Sequence, residues 1–84
     1  MNIKQIFGNN VKYYRFQKGL TQEQFSEKID ISTSYISEIE NGHSGVTFEK
    51  VEIIAKVLGV EIFQLFQKNV NSKHLPNRVD MIKK

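Results

Sequence analysis

The chain has no cysteine, no tryptophan and a single proline in its 84 residues. Without cysteine there is neither a disulfide staple nor a thiolate metal site, and a reducing compartment is permitted. No stretch approaches the ~18 consecutive apolar residues of a membrane span, and the opening MNIKQIFGNN has no apolar run of signal-peptide length. No segment repeats with a period of 20–50 residues, and none is of low complexity. These absences point to a cytoplasmic protein of one domain at most.

What is present suffices for one small core. Hydrophobic residues make up 39% of the chain and nine are aromatic, so the composition is not that of a disordered segment. A chain this short buries only roughly 60–65% of its unfolded surface. The net charge of +3 is unevenly placed. Residues 67–84 hold five basic side chains against Asp80, a net +4, whereas residues 1–66 hold seven basic against eight acidic, a net −1. Basicity therefore belongs to the tail, and overall charge is no argument for nucleic-acid binding by the body.

The periodicity is helical almost throughout. Asn2 and Gln5 can form a capping box ahead of a stripe of Ile3, Ile6, Phe7, Asn10, Val11 and Tyr14. Gly8 interrupts that helix; a close helix–helix approach or simple tolerance would explain it. Gly19 suits a left-handed stop. Thr47 caps a helix with an inward stripe of Phe48, Val51, Ile54, Ala55 and Leu58, stopped by Gly59. A fifth helix is expected from Glu61 to about Gln67, too apolar all round for a monomer's surface. After Lys68 the composition shifts to Asn, Ser and Lys; residues 67–76 read as linker-like, and Pro76 can open a weak last helix reaching Lys83. The expected division is a domain over 1–67 and a basic tail over 68–84.

The chain is organised around Thr21–Gly42, TQEQFSEKIDISTSYISEIENG. Thr21 and Gln24 make a second capping box, and the helix they start runs to about Ile29. Asp30 stands where a left-handed turn residue is wanted. Ser32 caps a helix that ends near Asn41 with Gly42 as its stop. Two helices of about eight residues joined by so short a turn must cross steeply, which is helix-turn-helix geometry. The second carries an uncharged edge of Thr33, Ser34, Tyr35 and Ser37 over Ile36 and Ile39. Such residues are poor helix formers, and a merely solvated face would more readily use Ala, Glu or Lys. Hydroxyls can donate to or accept from base edges, and a threonine methyl can pack on thymine.

Gly19-Leu20-Thr21-Gln22, the Ser32-x-x-x-Ile36-Ser37-x-Ile39-Glu40-x-Gly42 pattern and Leu58-Gly59-Val60 resemble the phage repressor/Cro family, also called the xenobiotic-response-element type. The resemblance runs over residues 3–66 without a gap. The Thr33–Ser37 run is closest to restriction–modification controller proteins; antitoxins and phage repressors share the fold. The resemblance implies an all-α, compact five-helix, lambda-repressor-like domain that binds double-stranded DNA as a symmetric dimer, at a palindromic operator, with the 33–41 helix in the major groove. It places Thr33, Ser34 and Glu38 on base edges. It makes Gln22 a phosphate contact that also braces the reading helix, and Asn41 with the 43–45 loop backbone contacts. It makes Arg15 and Glu40 a structural ion pair.

With the residues' own chemistry, the expected base contacts are Thr33, Ser34, Tyr35, Ser37 and Glu38, and the expected phosphate contacts are Thr21, Gln22, Asn41, His43 and Ser44. Glu38 is awkward beside phosphates: it can accept from cytosine N4, repel wrong sites, or pair with a neighbouring lysine. His43 touches phosphate or is simply exposed. His43 and His74 do not have metal-ligand spacing, and Gly42-His43-Ser44-Gly45 lacks the strand and Lys-Ser/Thr ending of a phosphate-cradling loop. Of the apolar 60–66 segment, part is expected to close the core, and Ile62, Phe63 and Phe66 to form a dimer interface. The tail can hug DNA, bind a partner or solubilise the chain. The expected function is a sequence-specific transcriptional regulator without cofactor, metal or small-molecule ligand. The alternative is a protein-interaction module such as an antitoxin or adaptor. An enzyme is not expected, since no nucleophile–base pair or carboxylate dyad is present.

Overall fold

In the computed structural model, which describes residues 2–68, the order is α1 (Ile3–Gln17), α2 (Gln22–Ile29), α3 (Thr33–Glu40), α4 (Phe48–Leu58) and a 3-10 helix (Ile62–Phe66). The described residues form no strand. The weak helix suggested after Pro76 and the role of the 69–84 tail lie outside the described residues.

Local signals place the helix ends. Asn2 accepts from the Gln5 backbone N–H at 3.0 Å and its own N–H donates to the Gln5 side chain at 3.0 Å, closing the expected capping box. Thr21 and Gln24 do the same at 2.9 and 3.0 Å. Gly19, Gly42 and Gly59 adopt positive φ, and among the described residues Asp30 is the one non-glycine that does so, with φ 57°. Behind Asp30 the Ser26 hydroxyl donates to the Ile31 carbonyl, which tightens the turn between α2 and α3.

The fifth helix is corrected to a 3-10 turn. Only residues 62–66 lie between the extended Glu61 (ψ 152°) and the extended Gln67 (ψ 137°), too few for a run of α-helical hydrogen bonds. Two stripes are also narrower than expected. Ile3 is 66% and Phe48 88% exposed, because each sits in the first turn of its helix, beyond the edge of the core. The core itself gathers Phe7 and Val11 of α1, Phe25 of α2, Ile36 and Ile39 of α3, and Ile54 and Leu58 of α4. Leu65 of the 3-10 helix closes it from below. Phe16, missed by the α1 stripe, is also buried, with the Arg15 guanidinium 4.8 Å from its ring centre.

Gly8 is where α1 meets α3. A Cβ there would collide with the Ile39 carbonyl oxygen and stand 3.1 Å from the Glu40 carbonyl. Of the two explanations open for this glycine, close approach of the helices is the one the packing supports.

Candidate nucleic-acid interface

Beneath α3, Glu40 is held from two directions. Arg15 of α1 grips its carboxylate with two donors, Nε to Oε2 at 2.6 Å and Nη2 to Oε1 at 2.9 Å. Gln22 of α2 donates to the same Oε1 at 3.1 Å, and the remaining Arg15 nitrogen, Nη1, reaches the Leu20 carbonyl at 2.7 Å. The ion pair expected between Arg15 and Glu40 is thus present, and it is buried. It ties three helices together through one carboxylate and fixes the pitch of α3 against α1 and α2.

On the opposite side of α3, Ser34 and Glu38 are exposed, one turn apart on the same face, while Thr33, Tyr35 and Ser37 are half-buried. Among the described residues the hydroxyls of Thr33 and Ser34 enter no hydrogen bond, so both are available to a ligand. Ser37 faces the Asn41 amide at 3.4 Å. The other expected contacts are more engaged. The Tyr35 hydroxyl donates to the Gly45 carbonyl at 2.7 Å, and the Ser44 hydroxyl donates to Glu38 Oε1 at 2.7 Å. Neither hydroxyl hydrogen is therefore free for a phosphate. Glu38 finds a serine where a lysine was one of the expected options. Asn41 and His43 are exposed at the end of α3. Thr21 and Gln22 stand at the start of α2, where the capping box satisfies the Thr21 and Gln24 N–H groups and leaves those of Gln22 and Glu23 free.

Two cations near this surface escaped the sequence reading. Lys4 and Lys12 lie four residues to either side of Gly8, so all three share the α1 face that meets α3. The Lys4 stem lies beside Gly45. Lys12 lines a polar depression with Gln5, Asn9, Glu40 and Asn41. The spacing of four was visible in the sequence, but nothing there said which face of α1 α3 would touch. In the 3-10 helix Ile62 (45%), Phe63 (63%) and Phe66 (36%) are solvent-exposed, while Leu65 between them is fully buried. Phe66 stacks on Phe7 at 5.2 Å and, with the exposed Phe48, lines an apolar groove. Among the described residues no group of His, Asp or Glu side chains is placed to hold a metal, and no helix is long and apolar enough to cross a membrane.

Two eight-residue helices crossing at a left-handed Asp30, the second with an inward ion pair and an outward hydroxyl edge, define a DNA-binding helix-turn-helix protein. The chain belongs to the helix-turn-helix family of the Cro/C1 type: residues 11–65 match the family model described as Helix-turn-helix. It is 41% identical over 66 residues to Control protein C.MunI of Mycoplasma sp, covering 77% of this chain and 89% of that one. It is 38% identical over 61 residues to Control protein C.BamHI of Bacillus amyloliquefaciens, covering 71% and 75%. Among solved structures it superposes on the restriction-modification controller protein C.AhdI of Aeromonas hydrophila with a TM-score of 0.71 at 28% identity, covering 75% of this chain and 96% of that one. The chain is accordingly a helix-turn-helix transcriptional regulator, of a non-enzymatic family that binds double-stranded DNA.

Proposed function

We propose that this regulator acts as a homodimer of the restriction–modification controller kind, reading a palindromic operator with α3 in the major groove. The observation that carries the reading is the division of α3. Its underside is locked through Glu40 to Arg15 and Gln22, and its outer edge offers free Thr33 and Ser34 hydroxyls. Those two and Glu38 read base edges, with Ser37 beside them and the Tyr35 ring as an apolar flank. Thr21, Gln22, Asn41 and His43 line the phosphates, with Lys4 and Lys12 as the nearby charges. A second subunit docks on Ile62, Phe63 and Phe66, which are apolar and exposed. That rim also favours the reading as an interaction module for another protein. Self-association of the pure chain separates the two.

The direct test is selection of binding sites from random duplexes by the purified protein. A palindromic consensus with half-sites about one helical turn apart is expected. Enrichment of nothing, or of an unpaired half-site by a monomer, would sink the proposal. Because residues 1–68 hold eight basic and eight acidic side chains and so no net charge, their binding is expected to fall only gently with salt, as for a few released counterions per subunit.

A further inference from the structure

Glu38 is the one residue of the reading edge whose charge opposes DNA, and the structure does not leave it loose. Ser44 Oγ donates its only hydrogen to Glu38 Oε1 at 2.7 Å. Ser44 is itself fixed from both sides. The preceding residue, His43, donates its backbone N–H to the Glu38 carbonyl at 2.9 Å. The following residue, Gly45, accepts the Tyr35 hydroxyl at 2.7 Å. The loop after α3 is thus pinned to α3 at positions 35 and 38, with Ser44 between the pins. A serine held in this way is not a free surface hydroxyl, and with its hydrogen spent on Glu38 it has none to give to a phosphate.

The consequence falls on Glu38. Among the described residues it has no salt-bridge partner, and Oε2 carries no hydrogen bond. A carboxylate only accepts. Held by one oxygen, it presents the other one turn beyond Ser34 on the exposed face. In the major groove such an acceptor is satisfied by an amino group, cytosine N4 or adenine N6. It is opposed by guanine O6 and N7, by thymine O4 and by any phosphate. We infer that Ser44 is a positioning residue, not a phosphate contact, and that the Ser44–Glu38 pair selects an amino-bearing base at one position of each half-site while weakening attachment to unrelated DNA. The inference rests on the reading of α3 as the major-groove element.

The test is binding-site selection and competition with unrelated duplex for the wild-type chain and the variants S44A, S44T, E38Q and S44A/E38Q, each first shown to melt like wild type. Wild type is expected to prefer cytosine, whose N4 amino group has no neighbouring acceptor to oppose a carboxylate as adenine N7 does, by roughly ten-fold at the Glu38 position. E38Q is expected to lose that preference and to bind unrelated duplex more tightly. S44A is expected to erode the preference at the same position and no other; S44T, which keeps the hydroxyl, is expected to restore it. In the E38Q background, S44A is expected to change nothing further. If S44A weakens all duplexes alike, or leaves the preference intact, or adds to E38Q, the positioning role is overturned. An unchanged consensus for E38Q overturns the selective role of Glu38. Failure of the wild type to enrich any motif overturns the DNA reading itself, a result distinct from the others.

Discussion

Gly8 lies against the carbonyl of Ile39 so closely that no side chain fits between them. The atoms in the way are backbone at the end of α3, not the tip of a movable side chain. Helix propensity alone says that alanine at position 8 should stabilise α1 by about 1 kcal/mol. The packing says the reverse, since α1 and α3 must separate to admit a methyl group. Gly8→Ala is therefore expected to lower stability by about 1–3 kcal/mol in denaturant unfolding. The sign decides: a variant as stable as wild type would mean that the helices are not in contact there.

The Arg15–Glu40 pair has side chains 5% and 2% exposed, so its two single deletions should be costly and its joint replacement mild. Arg15→Met keeps most of the packed stem but strands a buried carboxylate, for an expected loss of about 3–5 kcal/mol. Arg15→Met with Glu40→Leu removes both charges and is expected to recover most of that loss. Gln22→Ala removes one 3.1 Å bond to Glu40 and is expected to cost only about 1 kcal/mol. If Gln22 also touches phosphate, its substitution should weaken binding to every duplex about equally, beyond what the small loss of stability explains. A melting series of these variants beside their DNA affinities separates the bracing role from the contact role.

Much of this was legible in the sequence because it is local. Capping boxes at Asn2/Gln5 and Thr21/Gln24, the left-handed Asp30 and the glycine stops depend on residues within a turn of each other. What was not legible depends on what arrives from elsewhere. Phe48 fits the α4 stripe by spacing, yet none of the described residues covers it and it stays exposed. The 60–66 segment has helical spacing but too little length, so a 3-10 turn forms in its place. Within the candidate site, Thr33 and Ser34 could be singled out by chemistry alone. That Tyr35 and Ser44 spend their hydroxyl hydrogens inside the protein required knowing where the 43–45 loop folds back. Arg15 and Glu40 are 25 residues apart; family resemblance, not periodicity, paired them.

The exposed rim gives a test of the proposed homodimer that leaves the core intact. Phe63 is 63% exposed while its neighbour Leu65 is fully buried, so Phe63→Glu should fold normally. It is expected to sediment as a monomer at concentrations where wild type is dimeric. Loss of the second half-site contact should lower affinity for a full operator by roughly 100-fold or more, with little effect on a single half-site. A Phe63→Glu protein that remains dimeric would move the interface away from this rim.

Asn10 yields a pH-dependent prediction. It is fully buried, and its Nδ2 donates to the Ile6 and Gln67 carbonyls, each at 2.8 Å, tying the end of the 3-10 helix to α1. Its Oδ1 is buried without a partner among the described residues. Two carbonyl neighbours require a donor at this position, which settles the orientation of the amide. Asn10→Asp would set a carboxylate against those two oxygens with no donor in reach. Burial and the facing carbonyls both disfavour its charged form, so its folded pKa should rise above the ordinary aspartate value of about 3.9. With the folded pKa raised, the folded chain binds more protons than the unfolded one between the two values. Stability relative to wild type is then greatest below the unfolded pKa and falls as pH rises through the folded one. Thermal melts of Asn10→Asp and wild type from pH 3.5 upward are expected to diverge with increasing pH. A gap that is constant, or that narrows toward neutrality, would mean that position 10 does not face the two carbonyls.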